Sequence, residues 1–162
     1  MGRPAHDGSA TLSADRLLTQ APEQVYAFLA ELENHWRLND RYLRLERLSP
    51  DRNGGRIVIG TPIGLRRTAR TNVSAARRPV RLAGDAAIGR HTTARVHWSI
   101  EPEDQGARVE LEAIVLAAGA LDTLLLAFGG RWWLRRRFHS VLARLADALD
   151  HPPTPRLSVA AS

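Results

Sequence analysis

The chain has 162 residues and no cysteine, so disulfides, thiolate metal sites and thiol nucleophiles are excluded. This length predicts one domain, whose core is large enough to fold without a metal or a cross-link. The formal net charge is +6 and all 23 residues counted as lysine or arginine are arginine, which we attribute chiefly to the codon bias of a GC-rich genome.

The two ends of the chain lack the patterning of packed structure. Residues 1–9 are polar and contain glycine and proline, and residues 151–162 begin with three prolines in five positions. Both predict flexible tails around a single domain at residues 10–150. The start has no apolar signal segment, and no window reaches the ~18 apolar residues of a membrane span. We therefore expect a cytoplasmic protein.

The first elements are a strand at residues 11–20 and a short amphipathic helix. Pro22 suits the first position of a helix, and a carboxylate at Glu23 suits the helix dipole. Apolar residues then recur with helical spacing at positions 25, 28, 29 and 32. A second short helix or turn is predicted at residues 33–40, and it carries Trp36.

The middle of the chain alternates between apolar and polar residues, which is typical of antiparallel strands with one wet face. Asn53, Gly54 and Gly55 predict a hairpin turn. The predicted strands are residues 42–48, 56–61, 65–75, 80–88, 92–100 and 109–115.

The period changes to that of a helix near Ala120. Gly129 and Gly130 interrupt the helical pattern, and two glycines inside a helix predict a kink or a break. The pattern resumes over residues 131–150, which would form a helix ~30 Å long. A helix of that length with one apolar face needs a large apolar partner, and the predicted sheet is the only candidate.

This order of elements resembles the START/Bet v 1-like superfamily, which includes polyketide cyclase/dehydrase and lipid transport families. The likeness lies in the passage Ala21-Pro22-x-x-Val25-Tyr26-x-x-Leu29, in Trp36 and in the closing helix. The resemblance covers residues 11–150. It implies an α+β helix-grip fold, in which a curved antiparallel sheet of six to seven strands wraps around a long C-terminal helix. It also implies a cavity for lipids, sterols or polyketides, although fold alone does not decide function.

The predicted cavity lies between the sheet and the last helix. Its inward-facing residues would be Phe28, Leu32, Trp36, Tyr42, Ile59, Ala69, Val96, Trp98, Leu125, Phe128 and Trp132. Ligand sites are mostly apolar with a few polar groups. Apolar side chains are also generally buried in ordinary cores, and for any single one of these residues we favour a core position over ligand contact.

Catalytic and metal-binding residues are not evident. His35 lies beside Trp36 near the expected cavity mouth, whereas alternation places His97 and Asp85 on the outer face of the sheet. We interpret these groups as structural or solvated. The histidine spacings do not match metal motifs, so we expect neither a metal nor a cofactor.

Two basic or aromatic features allow other interpretations. The arginine clusters at residues 66–67, 77–78 and 135–137 could bind nucleic acid or ribosomes, but we favour a solvated surface. The run at residues 121–134, with Trp132 and Trp133 before three arginines, is typical of an interfacial membrane helix or a lid. It could also pack on the sheet.

Our leading hypothesis is therefore a binding or transport domain whose partner is a small apolar or amphipathic molecule, with transient membrane contact. The first alternative is a polyketide cyclase or dehydrase, and the second is an arginine-mediated nucleic-acid or ribosome-binding protein. The sequence does not indicate an oligomeric state.

Overall fold

The computed structural model describes residues 10–39, 42–61 and 64–151, apart from the side chains of Ala10, Trp36 and Leu125. The predicted tail at 1–9 and nearly all of the one at 151–162 lie outside the described residues. The strands are β1 (Ala10–Leu18), β2 (Leu43–Leu48), β3 (Gly54–Gly60), β4 (Arg66–Arg77), β5 (Arg81–Ile88), β6 (Thr92–Glu103) and β7 (Gly106–Ala117). The helices are α1 (Pro22–Ala30), α2 (Leu32–Leu38), α3 (Ala120–Leu125) and α4 (Arg131–Asp150).

The strands form one curved sheet in the order β1-β7-β6-β5-β4-β3-β2. Every neighbouring pair is antiparallel. The predicted α+β class, the seven strands, the short helices after β1 and the long C-terminal helix are confirmed.

Helix α1 begins where the sequence predicts. Pro22 occupies its first turn, where a missing backbone N–H costs no hydrogen bond, and the backbone N–H of Ala21 donates to Oε1 of Gln24 at 3.3 Å. Val25 and Leu29 of the predicted stripe are buried, while Phe28 packs against the core from its edge.

The turn between β2 and β3 differs from the prediction. Gly54 and Gly55 belong to strand β3, and the residue with positive φ is Arg52, at 57°. A Cβ atom on Gly54 would lie 1.9 Å from the carbonyl oxygen of Thr71, and one on Gly55 would lie 2.6 Å from that of Arg47. These glycines therefore permit close approach of neighbouring backbones rather than a tight turn.

The predicted interruption near Gly129 is confirmed. Phe128 has φ −94° and ψ 46°, and Gly129 has φ +96°, so the chain leaves helical geometry between α3 and α4. Only glycine adopts such a positive φ without strain, and open space surrounds the position of a Cβ there. Helix α4 then has the bounds that the periodicity predicts.

The core lies between the helices and one face of the sheet, which we call the inner face. Leu142 and Leu145 of α4 are fully buried in it, together with Val25 and Leu29 of α1. Among the strands, α4 packs chiefly against β1, at one edge of the sheet, with a smaller contact to β7. The apolar face of α4 is thus matched to a narrow strip of the sheet.

We expect the Leu142→Ala variant to unfold more easily by about 2–5 kcal/mol, because a fully buried leucine leaves a cavity when it is truncated. Urea unfolding followed by circular dichroism measures this difference. Leu17→Ala is the control, since Leu17 is exposed on β1 and its loss should change the free energy of unfolding by less than about 0.5 kcal/mol. Equal effects of the two substitutions would contradict this account of the core.

Candidate functional site

The inner face of the sheet is tightly covered at one end. The chain enters α1 directly after β1 ends at Leu18, so α1 must pack at this end, where it contacts β5, β6 and β7. The inner-face residues here are buried, and we call them the closed half: Leu82, Trp98, Ile100, Ala107, Val109 and Leu111.

Farther along the same strands, the same face remains partly exposed. We call these residues the open half: Val73, Gly84, Ala86, Ile88, Val96, Ala113 and Val115. Among their direct neighbours on this face, Leu12, Ala69, Thr92 and Ala94 are buried. The side chains of the open half are apolar, and the partly buried Thr71 opposite Ala86 adds one hydroxyl among them. This face therefore exposes mainly hydrophobic surface toward the helices.

Helix α3 is attached to the open end of the sheet by polar contacts. A carboxylate oxygen of Asp122 accepts a hydrogen bond from the guanidinium of Arg67, and the other accepts one from the hydroxyl of Thr92. The backbone N–H of Gly119 donates to the same hydroxyl oxygen at 3.1 Å. The side chains of Arg67 and Asp122 are 29% and 15% exposed, so this ion pair is shielded from water more than the sheet's other pairs.

His35 brings an imidazole to the edge of the core. Its Nε2 hydrogen-bonds the carbonyl oxygen of Leu29, and its ring meets Trp98 edge-on at a centroid distance of 5.8 Å. Burial lowers the pKa of His35 below its ordinary value, and the bond to Leu29 only partly opposes this effect. The ring is therefore neutral at pH 7, and the carbonyl acceptor fixes the proton on Nε2.

A cluster of Tyr42, Trp133 and Arg137 links the start of β2 to the first half of α4. The two aromatic rings meet at 72° with centroids 6.0 Å apart. The guanidinium carbon of Arg137 lies 4.8 Å from the Trp133 ring centroid and 5.8 Å from that of Tyr42. Cation–π contacts of this kind hold α4 against the start of β2 while the guanidinium of Arg137 stays near water.

The eleven predicted cavity residues differ in how far the structure buries them. Ala69 and Trp98 are buried, and Phe28, Leu32, Tyr42, Ile59 and Val96 are partly buried. Ile59, Ala69, Val96 and Trp98 lie on the inner face, and Trp98, Phe28 and Val96 pack in or against the core, while the cavity-lining role of all seven stays a prediction. The side chains of Trp36 and Leu125 lie outside the described part of the structure.

The prediction that the remaining two residues, Phe128 and Trp132, face inward is wrong. Their side chains are 83% and 65% exposed. The positive φ of Gly129 separates the two residues, so the single helical phase assumed from the sequence does not continue through them. Both side chains therefore point to solvent.

Sequence reasoning missed Arg67, Asp122 and Thr92 as one unit. The sequence analysis considered Arg67 only together with Arg66, as part of a solvated arginine cluster. The pairing of Arg67 with Asp122 spans 55 positions, so no local pattern signals it.

The outer-face predictions are confirmed. Asp85 pairs with Arg95 at 2.7 Å, and this hydrogen bond lowers the pKa of the carboxyl group. Nδ1 of His97 accepts from Arg81 at 3.1 Å, and burial, followed by the nearby Arg81 charge, lowers the pKa of His97. Both therefore have structural partners away from the open half.

Two depressions lie away from the open half. One, of about 150 Å³, is lined by Asp15, Ser99, Glu101, Arg108 and Glu110 on the outer face, and the other, of about 310 Å³, by Arg77, Val80, Arg81, Ser99, Ile100 and Glu101. Arg108 already bonds Asp15 at 2.8 Å and Glu103 at 2.9 Å, so the one cation of the first depression is engaged and its lining keeps an excess of carboxylates.

Neither a metal cluster nor a membrane-spanning helix is present in the described ranges 10–39, 42–61 and 64–151. No three His, Asp or Glu side chains there are grouped to hold a metal ion. No helix in those ranges has the length and apolar character to cross a bilayer.

We expect Asp122→Asn to lower the free energy of unfolding by about 1–3 kcal/mol, because it leaves the shielded guanidinium of Arg67 without its counter-charge. Asp85→Asn removes a more exposed pair and should cost less than about 1 kcal/mol. Urea unfolding of both variants tests the difference. A larger loss from Asp85→Asn would show that α3 does not depend on Asp122.

We also expect stability to fall as the pH drops below about 6.5. The folded chain holds His35 and His97 at lowered pKa values, so between those values and 6.5 the unfolded chain binds more protons. His35→Gln retains a donor for the Leu29 carbonyl and should weaken this pH dependence. Urea unfolding between about pH 5 and pH 8 measures it, and an unchanged slope in the variant would be evidence against a buried neutral His35.

The chain is similar to several solved bacterial structures. These include TTHA0849 from Thermus thermophilus (TM-score 0.68, 17% identity, 90% of this chain and 100% of that one) and CV1439 from Chromobacterium violaceum (0.64, 15%, 86% and 97%). MLL2253 from Mesorhizobium loti aligns with a TM-score of 0.61 at 15% identity, over 90% of this chain and 100% of that one. No family model and no curated protein matches the chain. At these identities the likeness establishes a shared fold.

Proposed function

We propose that this domain binds a small apolar or amphipathic molecule against the open half of the inner face, in a helix-grip arrangement, as a cytoplasmic carrier or receptor. The observation that carries the proposal is the change in burial along single strands. Val109 and Leu111 of β7 are buried, whereas Ala113 and Val115, on the same face of the same strand, are partly exposed.

The chemistry of the open half defines the class of ligand. Its side chains are aliphatic and small, so a ligand would gain about 25 cal/mol for each Å² of apolar surface that it buries, before ordering costs. Gly84, Ala86 and Ala113 carry at most a methyl group and are partly exposed, so a ligand can approach the sheet closely there. Arginine and aspartate at the end of this surface are paired with each other, so no net charge there favours a charged ligand.

Polar groups at the margins can orient such a ligand. The neutral imidazole of His35 lies against Trp98, next along the inner face from Val96 of the open half. Thr92 and the Arg67–Asp122 pair lie at the opposite margin. An elongated molecule with a polar group at one end and an apolar body fits this distribution.

The second candidate function is a cyclase- or dehydrase-type enzyme, and His35 is the observation that favours it. A neutral imidazole with its proton held on Nε2 leaves Nδ1 as a base, which general acid–base chemistry requires. In that case His35→Gln would abolish turnover of a bound polyketide-like substrate without weakening its binding. A carrier would bind such a molecule and show no turnover, with or without the substitution.

The first experiment is to identify what co-purifies with the protein from its own host, by native mass spectrometry followed by organic extraction. The same protein is titrated with an apolar fluorescent probe such as 1-anilinonaphthalene-8-sulfonate. A stoichiometric apolar passenger that the probe displaces supports the proposal. Protein that carries no passenger and takes up no probe contradicts it.

We expect Ala86→Phe to weaken probe binding by about tenfold or more, because the phenyl ring would occupy the open half. Ala87→Phe is the matched control, since Ala87 is the next residue of β5 and is exposed on the outer face. The control should bind the probe as the unchanged protein does. Equal binding by both variants would place the probe elsewhere.

A further inference from the structure

Four large apolar side chains are exposed within twelve residues at the junction of α3 and α4. They are Leu121, Leu124, Phe128 and Trp132, which are 46%, 54%, 83% and 65% exposed, and we call them the apolar strip. Single exposed hydrophobic residues are normal on a protein surface, but a concentrated run of them marks an interaction site.

The fold itself keeps this strip outside. Asp122 faces the sheet, where it is held by Arg67 and Thr92, so its neighbour Leu121 is left on the exposed side of α3. The break at Gly129 then separates Phe128 from α4. The anchoring contacts are polar and internal, so burying the strip against this domain would require breaking them.

Arginines follow the strip along the chain and supply its unpaired charge. Arg131, Arg135 and Arg136 are exposed, and the guanidinium carbon of Arg136 lies 5.6 Å from the centre of the Trp132 ring. The only acidic residue between positions 119 and 138 is Asp122, whose charge is already paired with Arg67. The strip is thus an apolar surface with a positive border.

We propose that the apolar strip docks this domain onto the surface of an anionic lipid membrane. Leucine and phenylalanine side chains enter the boundary between headgroups and acyl chains, tryptophan prefers that boundary, and the arginines bind the lipid phosphates. The contact is interfacial, because α3 and α4 are too short or too polar to span the bilayer.

The composition of the strip favours a membrane over other partners. Nucleic acid would use the arginines and could stack a base on Trp132 or Phe128, but it would leave the two leucines in water. A membrane surface accommodates both the aliphatic and the cationic groups. The docking does not depend on whether a ligand occupies the open half.

Vesicle flotation tests the proposal with the full chain. We expect binding to vesicles of equimolar phosphatidylcholine and phosphatidylglycerol, weaker binding to pure phosphatidylcholine, and a decline with added salt. The Phe128→Ser/Trp132→Ser variant should lower the partition coefficient by about tenfold or more. Leu124→Ser provides a second, milder change in the strip. The control Leu17→Ser, at a leucine as exposed as Leu124 but on β1, should bind as the unchanged protein does.

The border is tested separately. Replacing Arg131, Arg135 and Arg136 by glutamine should weaken binding to the anionic vesicles by about a hundredfold. Replacing the exposed sheet residues Arg44, Arg47 and Arg70 by glutamine also removes three positive charges, and it should weaken vesicle binding far less. Thermal unfolding of each variant verifies that it is folded, and Ala86→Phe should float normally even though it fills the open half.

Four results would overturn the proposal. The first is that the unchanged protein fails to bind anionic vesicles. The second is that Leu17→Ser weakens vesicle binding as much as Phe128→Ser/Trp132→Ser does. The third is that the two triple arginine variants weaken vesicle binding equally. The fourth is binding to single-stranded RNA, or formation of a dimer, that the strip variants abolish while vesicle binding is absent.

Discussion

The packing of α4 against one edge of the sheet is the contact on which the other features depend. A helix is about 10 Å wide and strands lie about 4.8 Å apart, so one helix covers two or three of the seven strands. Leu142 and Leu145 fix α4 near β1, and α1 covers the closed half because β1 ends there. The open half is the surface that these two helices do not reach.

Different forces hold the two ends of the helical layer. At the closed half, apolar side chains are buried in one cluster that includes Leu142. At the open half, α3 and the first turns of α4 are held by the Arg67–Asp122 pair and by Trp133 against Tyr42. Segments held by few apolar contacts open at lower free energy than a core does. We therefore expect α3 to detach from the sheet at a lower free energy than the core requires to open.

Local signals predicted the order of elements, the start of α1 at Pro22 and the bounds of α4, because periodicity and helix breakers act over a few residues. The roles of Gly54, Phe128 and Arg67 could not be predicted in that way. Gly54 is required by the backbone of β4, Phe128 is exposed by the φ of its neighbour, and Arg67 finds its partner 55 positions away. The candidate site depends largely on contacts between residues that are far apart in the sequence. Its apolar character was therefore easier to predict than the positions of its side chains.

The sheet does not close on itself, and this has a consequence for how copies of the chain meet. Within residues 10–39, 42–61 and 64–151, β3 is the one strand that pairs with β2, so backbone groups along the other side of β2 can pair with another strand. Its sequence places Arg44, Glu46 and Arg47 among leucines, and the pairing with β3 shifts between Leu45 and Arg47. Charges and an irregular register both oppose strand addition. The edge of the sheet at β2 is thereby protected from pairing with another copy and growing into aggregates.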